Sequence, residues 1–317
     1  MLNSDQLNSF EENGYLVVPD AIDRETVLDP LVEEYRDIMN LLMAGWVASG
    51  CIDKPAPDAT FEELVIAAYR AGLEYFQPMD ISLPAGDIAP DTPFHAGPAA
   101  FRLLTSERLL DIVEALIGPE ITSNPIQHVR IKPPALMLDT DEIRAHISAT
   151  DWHQDRAVTL VEADRTRMVT AWLAVTDATV ENGCLQVVPG SHRGEMMPHC
   201  PNPQVGIPRE MIESRVAMPV PVKAGGVVLF HPLTIHGSLS NTTSGIRWSF
   251  DLRYSVTGDP TGRPMFPEFV ARSRSRPETQ LRDPAKWRVL WEEARARLAA
   301  EPAIQIHRWS PDAAYCA

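Results

Sequence analysis

From about residue 121 onward, the chain is a series of short segments rich in β-branched and aromatic residues, and this series limits the folds that it can adopt. Glycine, proline and asparagine separate the segments, which is typical of strands joined by turns. The segments are "SNPIQHVRIKPP", "MVTAWLAVTDAT", "GCLQVVPGS", "MPVPVKAGGVVLFH" and "GIRWSFDLRYSV". Because no helical patterns alternate with them, the series predicts a sandwich or barrel rather than βαβ units.

Helical patterns lie on both sides of this β-rich region. Apolar residues three and four apart predict helices in "DQLNSFEEN", "DRETVLDPLVEEYRDIMNLLMAG", "TFEELVIAAYRAGLEYF" and "TSERLLDIVEALIG". Ser4 is expected to cap the first helix, and Thr60 with Glu63 forms a capping box. Asp283 and Pro284 begin a final helix that is expected to pack on the outer face of the sheet. We expect one domain over residues 1–317, with a helical part to about 120, a β core over about 121–260 and a C-terminal helix over about 283–300.

Two histidines and an aspartate in the β-rich region form a candidate metal site. In "DWHQDRAV", His153 and Asp155 are two residues apart, so on a strand both side chains would lie on one face, with Gln154 opposite. An isolated pair of this kind is most often structural. His236, which follows a later β-rich stretch, changes this interpretation. Two imidazoles and one carboxylate are the donors that hold non-haem Fe(II) with coordination positions left open.

A candidate anion anchor follows the second histidine. Arg247 begins the next predicted strand, and a guanidinium can hold a carboxylate by two parallel hydrogen bonds. A dicarboxylic co-substrate needs such an anchor away from the metal, and Ser238 could share it. Arg253 and Asp251 lie on the same strand face as Arg247. Arg253 is therefore a candidate substrate contact, with a pair to Asp251 as the alternative.

Several longer stretches resemble the phytanoyl-CoA dioxygenase family of Fe(II)- and 2-oxoglutarate-dependent oxygenases. They are "FEENGYLVVPDAI", "WHQD", "AWLAVTDATVENGCLQVVPGSHR" and "HGSLSNTTSGIRWSFDLRY", and together they span nearly the whole chain. The resemblance implies a double-stranded β-helix, also called a jelly roll or cupin-like fold, with N-terminal helices and a C-terminal helix packed on the sheet. It also implies Fe(II) as the metal, and 2-oxoglutarate and O2 as co-substrates.

The resemblance also implies a role for each candidate residue. The implied iron ligands are His153, Asp155 and His236, and the implied 2-oxoglutarate contacts are Arg247, Ser238, Trp172 and His128. Arg247 matches the arginine that pairs with the distal carboxylate of 2-oxoglutarate. His128 is placed in this set by the segment "QHVRIKPP", which precedes the His-x-Asp motif as a lysine-proline segment does in the family.

Charge and cysteine content limit the partners and the location. The chain has 43 acidic and 28 basic residues, and its formal net charge of -15 would repel nucleic acid and anionic lipid. No apolar run reaches the roughly 18 residues of a membrane span, and the N-terminal sequence lacks a signal-peptide pattern. We expect a cytoplasmic monomer or homodimer that binds a small molecule and neither nucleic acid nor membrane. The four widely spaced cysteines are expected to be free thiols.

The expected reaction is hydroxylation or another oxidation of a small organic molecule, for example in secondary metabolism. A CoA thioester is not expected, since only Arg272, Arg274 and Arg276 cluster, and these are expected to lie in a solvated loop. One alternative is an iron halogenase, in which a small residue replaces the metal-binding carboxylate, and Asp155 argues against it. Another is a non-catalytic jelly-roll binding protein, and the complete triad with its arginine argues against that. Specificity is expected in the loops between residues 51 and 98 and in "ALMLDTDEIRAHISAT".

Overall fold

The computed structural model describes residues 2–138, 144, 146–201, 204–301, 306 and 308–316. The helices are α1 (Ser4–Asn13), α2 (Asp29–Ala48), α3 (Phe61–Arg70), α4 (Phe76–Met79), α5 (Pro98–Leu104), α6 (Glu107–Ile117) and α7 (Pro284–Leu298). The strands are β1 (Tyr15–Val18), β2 (Glu120–Lys132), β3 (Met168–Ala174), β4 (Leu185–Val187), β5 (Cys200–Pro201), β6 (Val205–Gly206), β7 (Met218–Val220), β8 (Val227–Phe230), β9 (His236–Ser238), β10 (Arg247–Val256) and β11 (Phe269–Ser273).

The strands build two main antiparallel sheets. The larger has the order β1-β8-β3-β10-β2-β11, the smaller has the order β7-β4-β9, and β5 and β6 form a separate ribbon. Side chains of β3 and β8 share one buried apolar cluster with side chains of β4 and β7, so the two sheets pack on each other. This arrangement is the double-stranded β-helix that the family resemblance implied, with helices added on one side.

Local sequence sets the ends of the N-terminal helices. The cap of α1 is Asn3 rather than the expected Ser4, because the Asn3 side chain accepts a hydrogen bond from the Gln6 amide and a capping box closes there. Helix α3 begins at the expected capping box of Thr60. It ends earlier than the apolar pattern predicted, at Arg70, and Gly72 then adopts a left-handed conformation with a φ of 67°.

Strand β10 has one apolar face and one polar face. Its apolar side chains Trp248, Phe250, Leu252 and Tyr254 belong to the main core, which the N-terminal helices cover. Trp248, for example, stacks on Phe61 of α3 with ring centres 4.9 Å apart. The alternate residues Arg247, Asp251 and Arg253 point to the other side of the sheet. The strand therefore presents its charged residues to the space between the two sheets.

The C-terminal helix packs on the larger sheet through α5. Asp283 caps α7 by accepting a hydrogen bond from the Ala285 amide, as expected. The ring of Phe101 in α5 lies 5.7 Å from Trp287 of α7 and 5.5 Å from Phe269 of β11. None of the helices in the described ranges combines the length and apolar character needed to cross a membrane.

Two expectations about the surface are wrong. Cys200 and Cys316 form a disulfide across 116 positions, so only two of the four cysteines are free. Arg272 is not solvated, since β11 places it against α6, where its guanidinium pairs with three carboxylates and its side chain is 3% exposed. Arg274 pairs with the same helix. These arginines are therefore already neutralised and do not offer a landing site for phosphates.

Candidate metal centre

His153, Asp155 and His236 converge on one point. One potential ligand atom of each residue lies within 4.8 Å of those of the other two. The Nε2 atoms of His153 and His236 are 3.7 and 3.9 Å from Asp155 Oδ1. All three residues are buried. The fold thus brings together the three residues that the sequence singled out as candidate ligands.

The backbone that joins them is not the strand that the sequence suggested. His153 makes one isolated antiparallel bridge with His236, through N–H···O distances of 2.9 and 3.0 Å. Asp155 then begins a short 3-10 helix, Asp155–Val158. A helical turn after the bridge, and not strand alternation, therefore aims Asp155 at the histidines. Gln154 does point away, and its side chain binds the backbone of two neighbouring loops.

Backbone carbonyls fix the orientation of both imidazole rings. Nδ1–H of His153 donates to the Asp151 carbonyl at 2.8 Å, and Nδ1–H of His236 donates to the Thr234 carbonyl at 2.9 Å. These bonds assign the ring proton to Nδ1 and leave each Nε2 lone pair directed at the common point. Burial, with His236 beside it, lowers the pKa of His153 to about 3, and burial lowers the pKa of His236. Both rings are therefore neutral at pH 7, the form that binds a metal.

Two further side chains hold Asp155. Arg253 Nη2 donates to Oδ1, and the Thr170 hydroxyl donates to Oδ2. Burial alone would raise the pKa of Asp155, but the adjacent Arg253 guanidinium holds it below its usual range. The pair of Arg253 with Asp251 that the sequence suggested does not form, because Asp251 instead accepts from Arg130 Nε. Asp155 is thus ionised and fixed in one orientation.

This donor set fits a divalent transition metal. Two neutral imidazole nitrogens and one ionised carboxylate oxygen face one point, and hydrogen bonds from behind orient each of them. Two cavities border the ligands, one lined by both histidines and one by His153. Both cavities therefore adjoin the point that the three donor groups face. Such a site is the mononuclear facial triad that the sequence predicted.

The first cavity contains three of the predicted co-substrate residues, Arg247, Ser238 and Trp172. Arg247 is fully buried, its Nη1 donates to Ser249 Oγ at 2.6 Å, and its guanidinium carbon lies 5.3 Å from the centre of the Trp172 ring. No carboxylate of the described residues lies within ion-pair distance of Arg247, and its Nε–H has no acceptor among them. A buried cation without a partner is the kind of group that an anionic ligand would complete.

Lys132, which was not among the predicted site residues, contacts this cavity through Ser238. Its Nζ donates to Ser238 Oγ at 2.5 Å, and burial, with the charge of Arg247, lowers its pKa well below the usual range. In the register of β2 with β10, Lys132 pairs with Arg247, whereas His128 pairs with Asp251. His128 consequently lines the second cavity and not the one that contains Arg247. The segment "QHVRIKPP" could have indicated Lys132, since alternation places residues 128, 130 and 132 on one strand face.

The second cavity has a volume of about 170 Å³ and reaches the metal ligand His153. Its charged or titratable lining consists of His128, Arg130, Arg253 and Arg263. Its other lining residues are Ser82, Leu83, Ala85, Pro125, Ile126, Val158, Phe266 and Ile306. Ser82, Leu83 and Ala85 belong to the stretch before residue 98 in which specificity is expected, and that expectation stays a prediction. The insertion "ALMLDTDEIRAHISAT" lies partly outside the described residues.

A buried triad of two histidines and one aspartate on a double-stranded β-helix defines the class of mononuclear non-haem oxygenases. Comparison with known families is more specific. The family model described as phytanoyl-CoA dioxygenase (PhyH) matches residues 10–249, and the chain belongs to this family. It is accordingly an Fe(II)- and 2-oxoglutarate-dependent dioxygenase.

Individual relatives are distant. The human peroxisomal phytanoyl-CoA dioxygenase is 26% identical over 262 residues, which cover 80% of this chain and 69% of that protein. Among solved structures, apo ThoJ, a non-heme monooxygenase, superposes with a TM-score of 0.55 at 19% identity, covering 93% of this chain and 98% of that one. The epimerase SnoN in complex with Fe3+, alpha ketoglutarate and nogalamycin RO gives 0.52 at 22% identity, covering 81% and 86%. At these identities the two structures support the fold alone.

Proposed function

We propose that the protein hydroxylates, or otherwise oxidises, a small organic molecule, with Fe(II) held by His153, Asp155 and His236. One observation carries this proposal: the buried triad lies beside Arg247, a buried arginine that has no carboxylate partner among the described residues. A metal site alone would suit many enzymes. A metal site next to an unpaired guanidinium suits a co-substrate that binds the metal at one end and carries an anion at the other.

The residues around the triad keep the ligands ready for the metal. The carbonyls of Asp151 and Thr234 hold the two imidazoles in the tautomer that offers Nε2. Arg253 and Thr170 hold the Asp155 carboxylate ionised. Bound there, Fe(II) with 2-oxoglutarate and O2 supplies the oxidising power to attack an unactivated C–H bond.

Arg247 would hold the distal carboxylate of 2-oxoglutarate, with Ser238 and Lys132 beside it. The guanidinium rests on the face of Trp172, which keeps water from that side. Free volume in this cavity is only about 10 Å³ in the structure, so the co-substrate must move side chains apart to enter. Arg130 and Asp251 border this cavity, and their pair is the element that we expect to shift.

The second cavity is the proposed substrate site. Its volume of about 170 Å³ is close to that of an engineered cavity of about 150 Å³ that holds benzene. It therefore suits the reacting part of a small molecule. Arg253 lines this cavity and also holds Asp155, so we infer that it positions the metal ligand and borders the substrate. Halogenation is disfavoured because Asp155 would supply the metal-binding carboxylate that iron halogenases replace with a small residue.

We also infer that residues 1–317 act as one catalytic domain. Support comes from the main core, which contains residues from Leu16 in the N-terminal part to Leu298 in α7. A small molecule is the proposed partner, without nucleic acid or membrane, and the oligomeric state is proposed to be a monomer or homodimer. A cytoplasmic location stays a prediction, and cell fractionation would test it.

Metal titration and co-substrate turnover test the proposed function. We expect calorimetry to detect one Mn(II) per chain, used in place of Fe(II), and His153→Ala and His236→Ala to abolish this binding. His231→Asn is the matched control, since that ring lies outside the triad. With Fe(II) and O2, the parent protein should form succinate from 2-oxoglutarate, and a panel of small molecules should stimulate this turnover. Unaltered metal affinity in both alanine variants would contradict the ligand assignment.

A further inference from the structure

The second cavity contains a charge that the proposed reaction does not use. Three arginines line it, and two of them are paired: Arg130 with Asp251 and Arg253 with Asp155. The third is Arg263, which follows β10 on the connection to β11. Arg263 is only 7% exposed, and no carboxylate of the described residues lies within ion-pair distance of it.

Only part of the Arg263 guanidinium is satisfied. Its Nη2 donates to the Val158 carbonyl at 2.8 Å, and its Nε–H has no acceptor among the residues that the structure describes. Burial, with the charge of Arg253 nearby, lowers the pKa of Arg263 to about 10. Even so, the group is charged at pH 7. An unpaired buried cation is unfavourable unless a ligand completes it.

Arg156 is another buried arginine that forms no ion pair with a carboxylate of the described residues, and its role is structural. Both of its Nη groups donate to backbone carbonyls, those of Ala163 and Thr166, and it does not line the cavity. Arg263 differs on both counts. Asp80, a buried acid on the chain just before the cavity residues Ser82 and Leu83, is already bound to His128 Nδ1 at 2.8 Å and to the amides of Ile81 and Val129.

Arg247 and Arg263 therefore occupy equivalent situations in the two cavities that border the triad. Each is a buried arginine that lines a cavity and has no carboxylate partner among the described residues. Arg247 is the proposed anchor of the dicarboxylic co-substrate. Arg263 is correspondingly suited to an anionic group of the substrate.

We propose that the substrate is a small carboxylate whose carboxylate group binds Arg263 while its apolar part lies near His153. This inference rests on the proposed function and names the substrate class of the same site. A carboxylate suits the planar guanidinium, which can hold it by two hydrogen bonds. The remaining lining includes Leu83, Ile126 and Phe266, which suits an apolar body. The volume of about 170 Å³ limits that body to roughly the size of one small ring.

The test compares carboxylates with neutral analogues of the same shape. The full-length protein is loaded with Mn(II) and saturating 2-oxoglutarate, so that the triad and Arg247 are occupied, and ligands are titrated by calorimetry without O2. The pairs are benzoate with benzamide and butanoate with butanamide, and phenyl phosphate is a separate arm. We expect the parent to bind at least one carboxylate about tenfold more tightly than its amide. In Arg263→Gln this preference should fall to about twofold or less.

Two further variants keep the result interpretable. Arg36→Gln removes one exposed arginine of α2 and should leave the preference unchanged. Arg263→Lys keeps the charge but not the planar guanidinium, so its preference for carboxylates should be intermediate. If Arg263→Gln does not fold, the Arg263→Lys variant provides the test. The inference would be overturned if the parent showed no preference for carboxylates or if the preference were unchanged in the Arg263 variants. It would also be overturned if the parent bound phenyl phosphate more tightly than the carboxylates. If the parent itself bound neither Mn(II) nor 2-oxoglutarate, the proposed function would be overturned instead.

Discussion

Replacing Arg247 with Met should weaken 2-oxoglutarate binding and stabilise the ligand-free protein. Arg247 is fully buried, and burial lowers its pKa from 12.5 to about 10. At about 1.4 kcal/mol per tenfold, this corresponds to roughly 3 kcal/mol against the charged form in the fold. Met removes that term and fills similar volume, but it also removes the hydrogen bond to Ser249, which contributes about 1 kcal/mol. The net gain should be about 2 kcal/mol, or about 4 °C in melting temperature.

Binding should change in the opposite direction. Removing one partner of a buried charge pair typically weakens binding by about 2 to 5 kcal/mol, which is about thirtyfold to several thousandfold. Calorimetry with Mn(II) and 2-oxoglutarate gives the affinity, and thermal melting of the ligand-free protein gives the stability. Mn(II) affinity serves as the control and should stay within about threefold, since Arg247 is not a proposed ligand. A parent-like affinity for 2-oxoglutarate would place the anchor elsewhere, and a lower melting temperature would refute the electrostatic reasoning.

Three other perturbations test the site and its surroundings. Asp155→Gly should abolish hydroxylation and give no chlorinated product by mass spectrometry. Chloride should nevertheless raise the melting temperature of this variant, because Arg253 and Thr170 then lack the carboxylate that they hold. Chlorination by the parent, or full hydroxylation by the variant, would contradict the assignment of Asp155 as a ligand. Glu34 accepts hydrogen bonds from the first amides of α5, and although burial opposes it, its bonds to His95 and Ala99 lower its pKa. The ionised Glu34 side chain should therefore stabilise the fold above the unfolded pKa of about 4.3, and this stabilisation should be lost as the pH falls through the lower folded pKa. Urea unfolding should show that Glu34→Gln lowers the free energy of unfolding by about 1 to 2 kcal/mol at pH 7 and by less at pH 3. Cys316→Ser opens a loop of 116 positions and should lower the unfolding free energy of the oxidised protein by about 2 to 4 kcal/mol, a difference that a reductant should remove.

The parts of the fold that depend on local pattern could be predicted from the sequence. Alternation placed Arg247, Asp251 and Arg253 on the polar face of one strand, and the structure confirms this. The His-x-Asp motif and a distant histidine indicated a triad, which the structure brings together. These signals extend over a few residues or rest on residue types with few alternative uses. They predict well because chain geometry alone fixes them.

Features that depend on which distant residues meet could not be predicted in the same way. The partner of Arg253 is Asp155 rather than Asp251 because the 3-10 turn after His153 brings that carboxylate to it. Lys132 reaches Ser238 only through the register of β2 with β10. The Cys200–Cys316 pair joins β5 to the C-terminal segment, and the two sequences contain no sign of proximity. Each of these contacts is decided by tertiary packing, which a single sequence does not display.

The C-terminal segment has a practical consequence for anyone who prepares this protein. Arg308 donates to the carbonyls of Thr159 and Leu160, and the Trp309 indole donates to the carbonyl of Ala157. These carbonyls belong to, or directly follow, the short turn that begins with Asp155. An affinity tag fused to this end, or trimming just after α7, would therefore disturb the support of a metal ligand. Weak metal loading in such a preparation would reflect the altered C-terminal segment. An affinity tag is therefore better placed at the N-terminal end.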